Sequence, residues 1–348
     1  MSKLKFDDTL EINGIKLTKK YIESLSYQER QALVDPIFDL VRASGFPYPD
    51  NTDSFKKDYK KLVDLKIDIN QIELFNNSSL CTKPCRYFCR SFYGASELKA
   101  KTMLEVFNDD KLMKKLIFNR LGGDWLLSDD KGPGVNESFN FTTKQIIQGM
   151  RSMRLVPAIS MFKPDIAKYM CVKYSEVGDT VGDYSCGFGG RLLGAMSCGR
   201  KYIGTDPLTV PELEEMAKFF DFKDYKLIQS GSEDYRGDEN SVDLYWSSPP
   251  YFSQELYSQD SSQAYNKGED YFYDVYWKKT LENVKFMLKP NKFFGLNILD
   301  KYNRMIDMAK EQFGEPVEVI KLRTIKSHLT KNSGIEKFEP VYIFKNIK

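Results

Sequence analysis

The chain has 348 residues, with 51 Lys and Arg against 49 Asp and Glu, one histidine, and 41% hydrophobic and 14% aromatic residues. That is enough apolar material for a real core in one large or two modest domains, and a net charge of +2 argues neither for nor against nucleic acid, since a basic cleft can sit inside a neutral total. The polar Met1–Asp8 start and the lack of a long apolar run argue against a leader or membrane span, six cysteines then read as reduced thiols, and one histidine excludes a His-rich metal centre, so a cytoplasmic protein without membrane or metal is expected.

In chain order, residues 1–155 read as a mostly helical domain. A hairpin-like Leu10–Ile15 segment precedes helical spacing over Lys20–Ser44, Thr52–Lys61, Lys83–Phe107, Lys111–Leu121 and Thr143–Met153, with a polar, Gly-rich surface loop from Gly122 to Phe141. From 156 to 348 the pattern alternates. Thr180–Asp183, Lys201–Thr205, Tyr225–Gln229, Val242–Trp246, Phe293–Ile298, Val317–Leu322 and Val341–Phe344 read as strands. Arg191–Cys198, Val210–Phe220, Tyr273–Leu288 and Tyr302–Phe313 read as helices, the third stopped by Pro290. Such alternation predicts an α/β domain with a doubly wound, mainly parallel sheet and ligands at the carboxyl ends of its strands.

Two strand ends carry the chemistry. After Val242–Trp246 comes Ser248-Pro249-Pro250-Tyr251. The prolines fix φ and remove two donors, giving a stiff segment whose carbonyls face one way. A rigid carbonyl and hydroxyl can accept both hydrogens of a planar NH2 group and aim its lone pair at an electrophile, and Tyr251 offers a flat face to an extruded base. After Thr180–Asp183 comes a turn, Asp183-Tyr184-Ser185-Cys186-Gly187-Phe188-Gly189-Gly190-Arg191, whose glycines let backbone approach a ligand. Asp206 ends the next strand, where an acid can take both ribose hydroxyls or simply cap the following helix.

With Lys163-Pro164 and Gly178-Asp179-Thr180-Val181 upstream, these elements occur in one order that resembles the S-adenosylmethionine-dependent DNA amino-methyltransferases, which modify cytosine N4 or adenine N6, over roughly residues 160 to 345. The resemblance implies the class I methyltransferase fold and S-adenosyl-L-methionine as cofactor. Lys163 and Pro164 would border its methionine end. Asp183, Cys186, Gly187 and Gly189 would line the amino-acid part, Cys186 by packing. Asp206 would bind ribose, Pro207 would lie near the adenine, and Ser232, Glu233 and Asp234 would meet the adenine ring. Ser248, Pro249, Pro250 and Tyr251 would hold the target amine. Ser248 leans toward cytosine N4, where adenine enzymes usually carry Asp or Asn. Two departures from the family occur: Tyr184-Ser185 stand in place of Pro-Phe, and Arg191 in place of a common Thr.

The implied function is methyl transfer to an exocyclic amine of a flipped DNA base in a prokaryote or phage, with a restriction or other modification-system partner. The alternatives are an RNA base N-methyltransferase and a non-catalytic nucleic-acid-binding module that keeps the fold. No Pro-Cys nucleophile accompanies the core motif, which argues against cytosine C5 chemistry. The Tyr-rich stretch after Tyr251 (Tyr257, Tyr265, Tyr271, Tyr273, Tyr276) reads either as a loop over the base or as a lid on the sheet. Cys81, Cys85 and Cys89 fit small apolar groups on one helix face better than metal ligands. Lys83, Arg86, Arg90, Arg151 and Arg154 could meet phosphates, and His328 lies in a loop that could approach DNA.

Overall fold

A computed structural model describes residues 4–70, 79–97, 100–122, 141–157, 159, 161–252, 255–256, 262–323 and 338–348. The chain divides into two compact units, Met1–Asn51 with Phe92–Ile159, and Thr52–Ser91 with Ser160–Lys348. The expected division near residue 155 assigned 52–91 to the first domain, whereas these residues pack with the second unit.

In the first unit a short hairpin, Glu11–Ile12 with Ile15–Lys16, is tied down by backbone bonds between Leu10 and Phe141 and between Phe141 and Leu17. The expected single helix over 20–44 is three, Lys19–Ser24, Tyr27–Ala32 and Val34–Ser44. Leu25 is extended, and Ser26 and Glu29 form a reciprocal capping box that starts a new helix. The same device divides the expected helix over 83–107. Thr102 and Glu105 cap Met103–Asn108, preceded by a 3-10 turn at Arg90–Gly94. Asp110–Arg120 and Thr143–Ser152 complete the unit.

The main sheet of the second unit has seven strands among the described residues: β1 Thr180–Asp183, β2 Lys201–Thr205, β3 Tyr225–Ile228, β4 Val242–Ser247, β5 Leu288–Asn297, β6 Glu318–Arg323 and β7 Phe338–Lys345. Their order across the sheet is β3-β2-β1-β4-β5-β7-β6, parallel through the first five, with β7 antiparallel to both its neighbours. The helices are α1 Phe55–Asp64, α2 Thr82–Phe88, α3 Pro164–Tyr174, α4 Gly190–Met196, α5 Val210–Phe219, α6 Lys278–Met287 and α7 Asn303–Phe313. Alternation along the strands puts helices on both faces. Tyr245, Phe294, Leu296 and Phe344 share a buried cluster with Leu281 and Val284 of α6 and Ile306 and Phe313 of α7. Their neighbours in sequence point the other way: Trp246 meets Phe162 just before α3, and Phe293 meets Tyr174 at its end. This order and polarity are those of the class I methyltransferase fold, the doubly wound mainly parallel sheet expected from the sequence.

Two local readings are corrected. The helix expected over 273–288 is preceded by a π-helical segment, Tyr271–Trp277, that runs into α6. Pro290 does not separate helix from strand but lies inside β5, in a register break where Val242 pairs with Leu288 and Leu244 with Phe293. A proline fits there because the irregularity asks no ladder bond of it. Lys168 of α3 donates from Nζ to the carbonyls of Leu62, Val63 and Leu65 at 2.8 Å each, capping the C-terminal end of α1. Among the described residues no helix is long and apolar enough to cross a membrane.

Candidate active site

Register brings the motifs together. Asp183 pairs with Gly204, Gly182 with Tyr245, Thr205 with Ile228 and Ser247 with Leu296. Asp183, Thr205, Ile228, Ser247 and Asn297 therefore end neighbouring strands at one edge of the sheet, the edge where the fold binds ligands.

The turn after β1 is held by one buried carboxylate. Asp183 Oδ2 accepts from Arg191 Nε at 2.7 Å and Tyr202 Oη at 2.6 Å, and Oδ1 accepts from Ser185 N at 3.1 Å and Ser247 Oγ at 2.6 Å. The Asp183 and Arg191 side chains are 1% and 6% exposed. Arg191 also donates to the Ser185 carbonyl and lies over the Phe162 ring. Burial disfavours its charge, but Asp183 outweighs this and holds the guanidinium above its ordinary range. Arg191 is thus a brace for the turn, and the Asp183 side chain is engaged by the protein. Gly187 and Gly189 have φ of +53° and +79°. Gly190 admits no side chain, since a Cβ there would lie 1.9 Å from the Phe162 carbonyl oxygen. That contact sets Phe162, half-buried Lys163 and buried Pro164 against the turn. Burial lowers the Lys163 amine, with Asp165 opposing. Burial raises the Cys186 thiol well above its usual value, with Asp183 and Asp206 adding to it, as suits a packing group.

Both Asp206 carboxylate oxygens accept from backbone donors of the protein, as the capping reading expects. Oδ1 accepts from Leu208 N and Thr209 N at 2.9 Å each, an N-cap-like turn, while Oδ2 reaches back to Gly187 N at 3.0 Å. Burial raises its pKa; the backbone donors of Thr209, Leu208 and Gly187 pull the other way. Pro207 is half-buried, and its carbonyl accepts from Gln229 at 3.5 Å. Beyond β3, Ser232 Oγ bonds Thr280 Oγ1 at 2.7 Å, and Asn283 binds the Ser232 and Glu233 carbonyls. Glu233 is buried; Oε1 accepts from Tyr271 Oη at 3.1 Å, and Oε2 has no hydrogen-bond partner among the described residues. Asp234 is exposed.

At the end of β4, Ser248 and Pro250 are half-buried, and Pro249 and Tyr251 are buried. The Tyr251 hydroxyl donates to Glu339 Oε1 at 2.8 Å, and its ring lies 4.9 Å from that of Tyr302 at an interplanar angle of 11°. Tyr184 donates to the Ser247 carbonyl at 3.2 Å, a second tie between the two loops. Of the Tyr-rich stretch, Tyr273 and Tyr276 belong to the buried cluster on the sheet, with Tyr265 and Tyr271 packed against it; Tyr257 lies outside the described residues.

Sequence reasoning missed Tyr202, Ser247, Glu339 and Tyr302. Arg191 carried a signal, a charge opening the otherwise apolar run Leu192-Leu193-Gly194-Ala195-Met196 eight positions after an acid. Glu339 and Tyr302 carried none, being brought in by distant strands. Elsewhere, burial pushes the Cys81 and Cys85 thiols up to about 12 and Cys89 well above its usual value, and no group of ligands able to hold a metal occurs among the described residues. Lys83, Arg90 and Arg154 are exposed, Arg86 and Arg151 half-buried. His328 lies outside the described residues.

No family model matches the sequence, and no curated protein matches it. Among solved structures, the chain is similar to a tRNA methyltransferase from Aquifex aeolicus at 12% identity and TM-score 0.38, covering 55% of this chain and 72% of that one. It is similar to geranyl diphosphate C-methyltransferase from Streptomyces coelicolor at 10% identity and TM-score 0.40, covering 62% and 86%. A third likeness is to 1,6-didemethyltoxoflavin-N1-methyltransferase from Burkholderia thailandensis, at 12% identity and TM-score 0.36, covering 53% and 78%. Strand order and register define the fold of the chain by themselves.

Proposed function

We propose that the protein is an S-adenosylmethionine-dependent methyltransferase acting on an exocyclic amine of a flipped DNA base, cytosine N4 in preference to adenine N6. One observation carries this reading. Ser247, the residue before the Ser-Pro-Pro-Tyr segment, donates to Asp183 at the head of the glycine turn, so the segment suited to a planar amine and the turn suited to a nucleotide cofactor are joined by a buried hydrogen bond.

The residues present fit the cofactor. A buried carboxylate oxygen of Glu233 without a donor among the described residues suits the exocyclic N–H of an adenine, as buried acceptors are almost always paired. Lys163 and Pro164, with the backbone around Asp183, Cys186, Gly187 and Gly189, would hold the methionine part, Asp206 the ribose, and Pro207, Ser232 and Glu233 the adenine. When bound, the cofactor supplies a methyl on an already activated sulfonium, so the protein needs no covalent nucleophile. The work left to the chain is alignment and exclusion of water. Ser248 and the rigid Pro249-Pro250 carbonyls would accept the amine hydrogens and turn its lone pair toward the cofactor edge, and Tyr251 would pack against the flat base.

Double-stranded DNA is the proposed partner, in a cytoplasmic setting and alongside a restriction or other modification system. The test incubates the protein with labelled S-adenosylmethionine and unmodified DNA or tRNA, digests the polymers to nucleosides, and identifies the product by mass. N4-methylcytosine from DNA is expected. Label only in RNA would move the substrate to RNA, and no cofactor binding by calorimetry would leave a non-catalytic module.

A further inference from the structure

We infer that Tyr276 is a cofactor-binding residue, its hydroxyl donating to a ring nitrogen of the adenine while Glu233 accepts from the exocyclic amine beside that nitrogen. The inference rests on the proposed function. It gives the adenine end of that site a donor from a helical element that the motifs do not include.

Two buried polar atoms stand without partners here. Tyr276 is 4% exposed and Glu233 6%. Neither Tyr276 Oη nor Glu233 Oε2 has a hydrogen-bond partner among the described residues. Buried polar atoms are almost always paired, and one left unpaired costs stability. The two could satisfy each other, since one is a donor and the other an acceptor, yet they are not bonded. An adenine edge supplies what both lack, an amine that donates beside a ring nitrogen that accepts.

The backbone explains how Tyr276 comes to this place. Tyr271 and Tyr276 stand five apart in the π-helical segment Tyr271–Trp277. Five residues carry a side chain well round an α-helix, whereas a π turn closes on i to i+5 and brings both to one side. Tyr271 Oη donates to Glu233 Oε1 at 3.1 Å, which fixes that side as the one facing the turn after β3. The same face continues into α6. Thr280, four after Tyr276, bonds Ser232 Oγ at 2.7 Å, and Asn283 donates to the Ser232 and Glu233 carbonyls at 3.0 and 3.3 Å. The Tyr276 ring packs against Phe272 at 5.1 Å between centroids, so its hydroxyl is held in place from behind. The Glu233 carboxyl folds back over Gly231, where a Cβ would lie 2.7 Å from Glu233 Cδ. Burial raises the Tyr276 hydroxyl above its usual range, and the Glu233 and Asp206 carboxylates add to this against the Ser232 hydroxyl. The hydroxyl therefore keeps its proton at neutral pH and serves as a donor, within electrostatic reach of the acids proposed for adenine and for ribose.

The test compares wild type with Tyr276→Phe, which keeps the packed ring and removes the hydroxyl. Affinity is measured by calorimetry for S-adenosylhomocysteine and for its 1-deaza and 7-deaza analogues, each lacking one ring nitrogen next to the amine. Tyr276→Phe should bind S-adenosylhomocysteine about 10-fold more weakly, the scale of one hydrogen bond. With one of the two analogues, the one without the accepting nitrogen, wild type and Tyr276→Phe should bind equally. The Tm of the ligand-free variant should not fall, because the hydroxyl has no protein bond to lose. Wild-type affinity in Tyr276→Phe, an equal loss with all three ligands, or a lowered ligand-free Tm would overturn the inference and leave the methyltransferase reading intact. If wild type binds none of the three ligands, that reading falls and the inference with it.

Discussion

Replacing Arg191 by Met tests whether one buried ion pair holds the glycine turn. The perturbation leaves the Asp183 carboxylate, 1% exposed, without its cationic partner. The gross attraction of unit charges about 4 Å apart is about 4 kcal/mol at an effective dielectric near 20. Breaking a buried pair by removing one member typically costs about 3–5 kcal/mol, because the survivor stays charged and desolvated. Here Tyr202, Ser247 and Ser185 still donate to Asp183, which argues for the lower end, about 3 kcal/mol. The loss also frees the Ser185 carbonyl, so the turn should loosen and cofactor affinity fall. The assay is urea unfolding followed by tryptophan fluorescence, since Trp246 and Trp277 are fully buried in this unit. A double-mutant cycle with Asp183→Asn removes the stranded charge. The double variant should be more stable than the sum of the single effects implies, by about 1–3 kcal/mol of coupling. An Arg191→Met variant within about 0.5 kcal/mol of wild type, or strictly additive effects, would refute the reasoning.

Gly190→Ala should abolish cofactor binding in calorimetry and lower the melting temperature, because the added Cβ would meet the Phe162 backbone carbonyl at 1.9 Å. Lys168→Met should destabilise the second unit by about 1–3 kcal/mol in the same urea assay, by removing the donor from three carbonyls at the end of α1. Asp206 titrates above the usual carboxylate range because burial disfavours its charge. A raised folded pKa stabilises below the unfolded value and loses that contribution as pH rises through the folded value. Asp206→Asn should therefore cost more stability near about pH 4 than near about pH 7, as read from urea midpoints at each pH. Among the cysteines, Cys198 has its thiol lowered by a hydrogen bond with Cys171, with Arg200 and Lys168 adding to the effect. Iodoacetamide should label Cys198 first and Cys81, Cys85 and Cys89 only on unfolding, as followed by peptide mass spectrometry.

Strands of the second unit were legible where they are short apolar runs ended by a turn signal, as at Lys201–Thr205, which matches its expected span in full, whereas the polar first half of β5 was not. Breaks in the helical region were written as capping boxes at Ser26–Glu29 and Thr102–Glu105, but a periodic apolar pattern reads straight through a cap. The glycine turn and the Ser-Pro-Pro-Tyr segment were legible as local backbone chemistry, since glycine and proline act where they stand.

What local sequence could not decide is pairing across the sheet. That β7 enters between β5 and β6, bringing Glu339 to Tyr251, follows from strand order. The same order sets Ser247 beside Asp183. Nor does a local pattern show that Arg191 turns inward, because a charged side chain is buried only when folding delivers its partner. Residue types and backbone constraints are properties of a few consecutive positions. Contacts between positions far apart in the chain exist only once the whole core has packed.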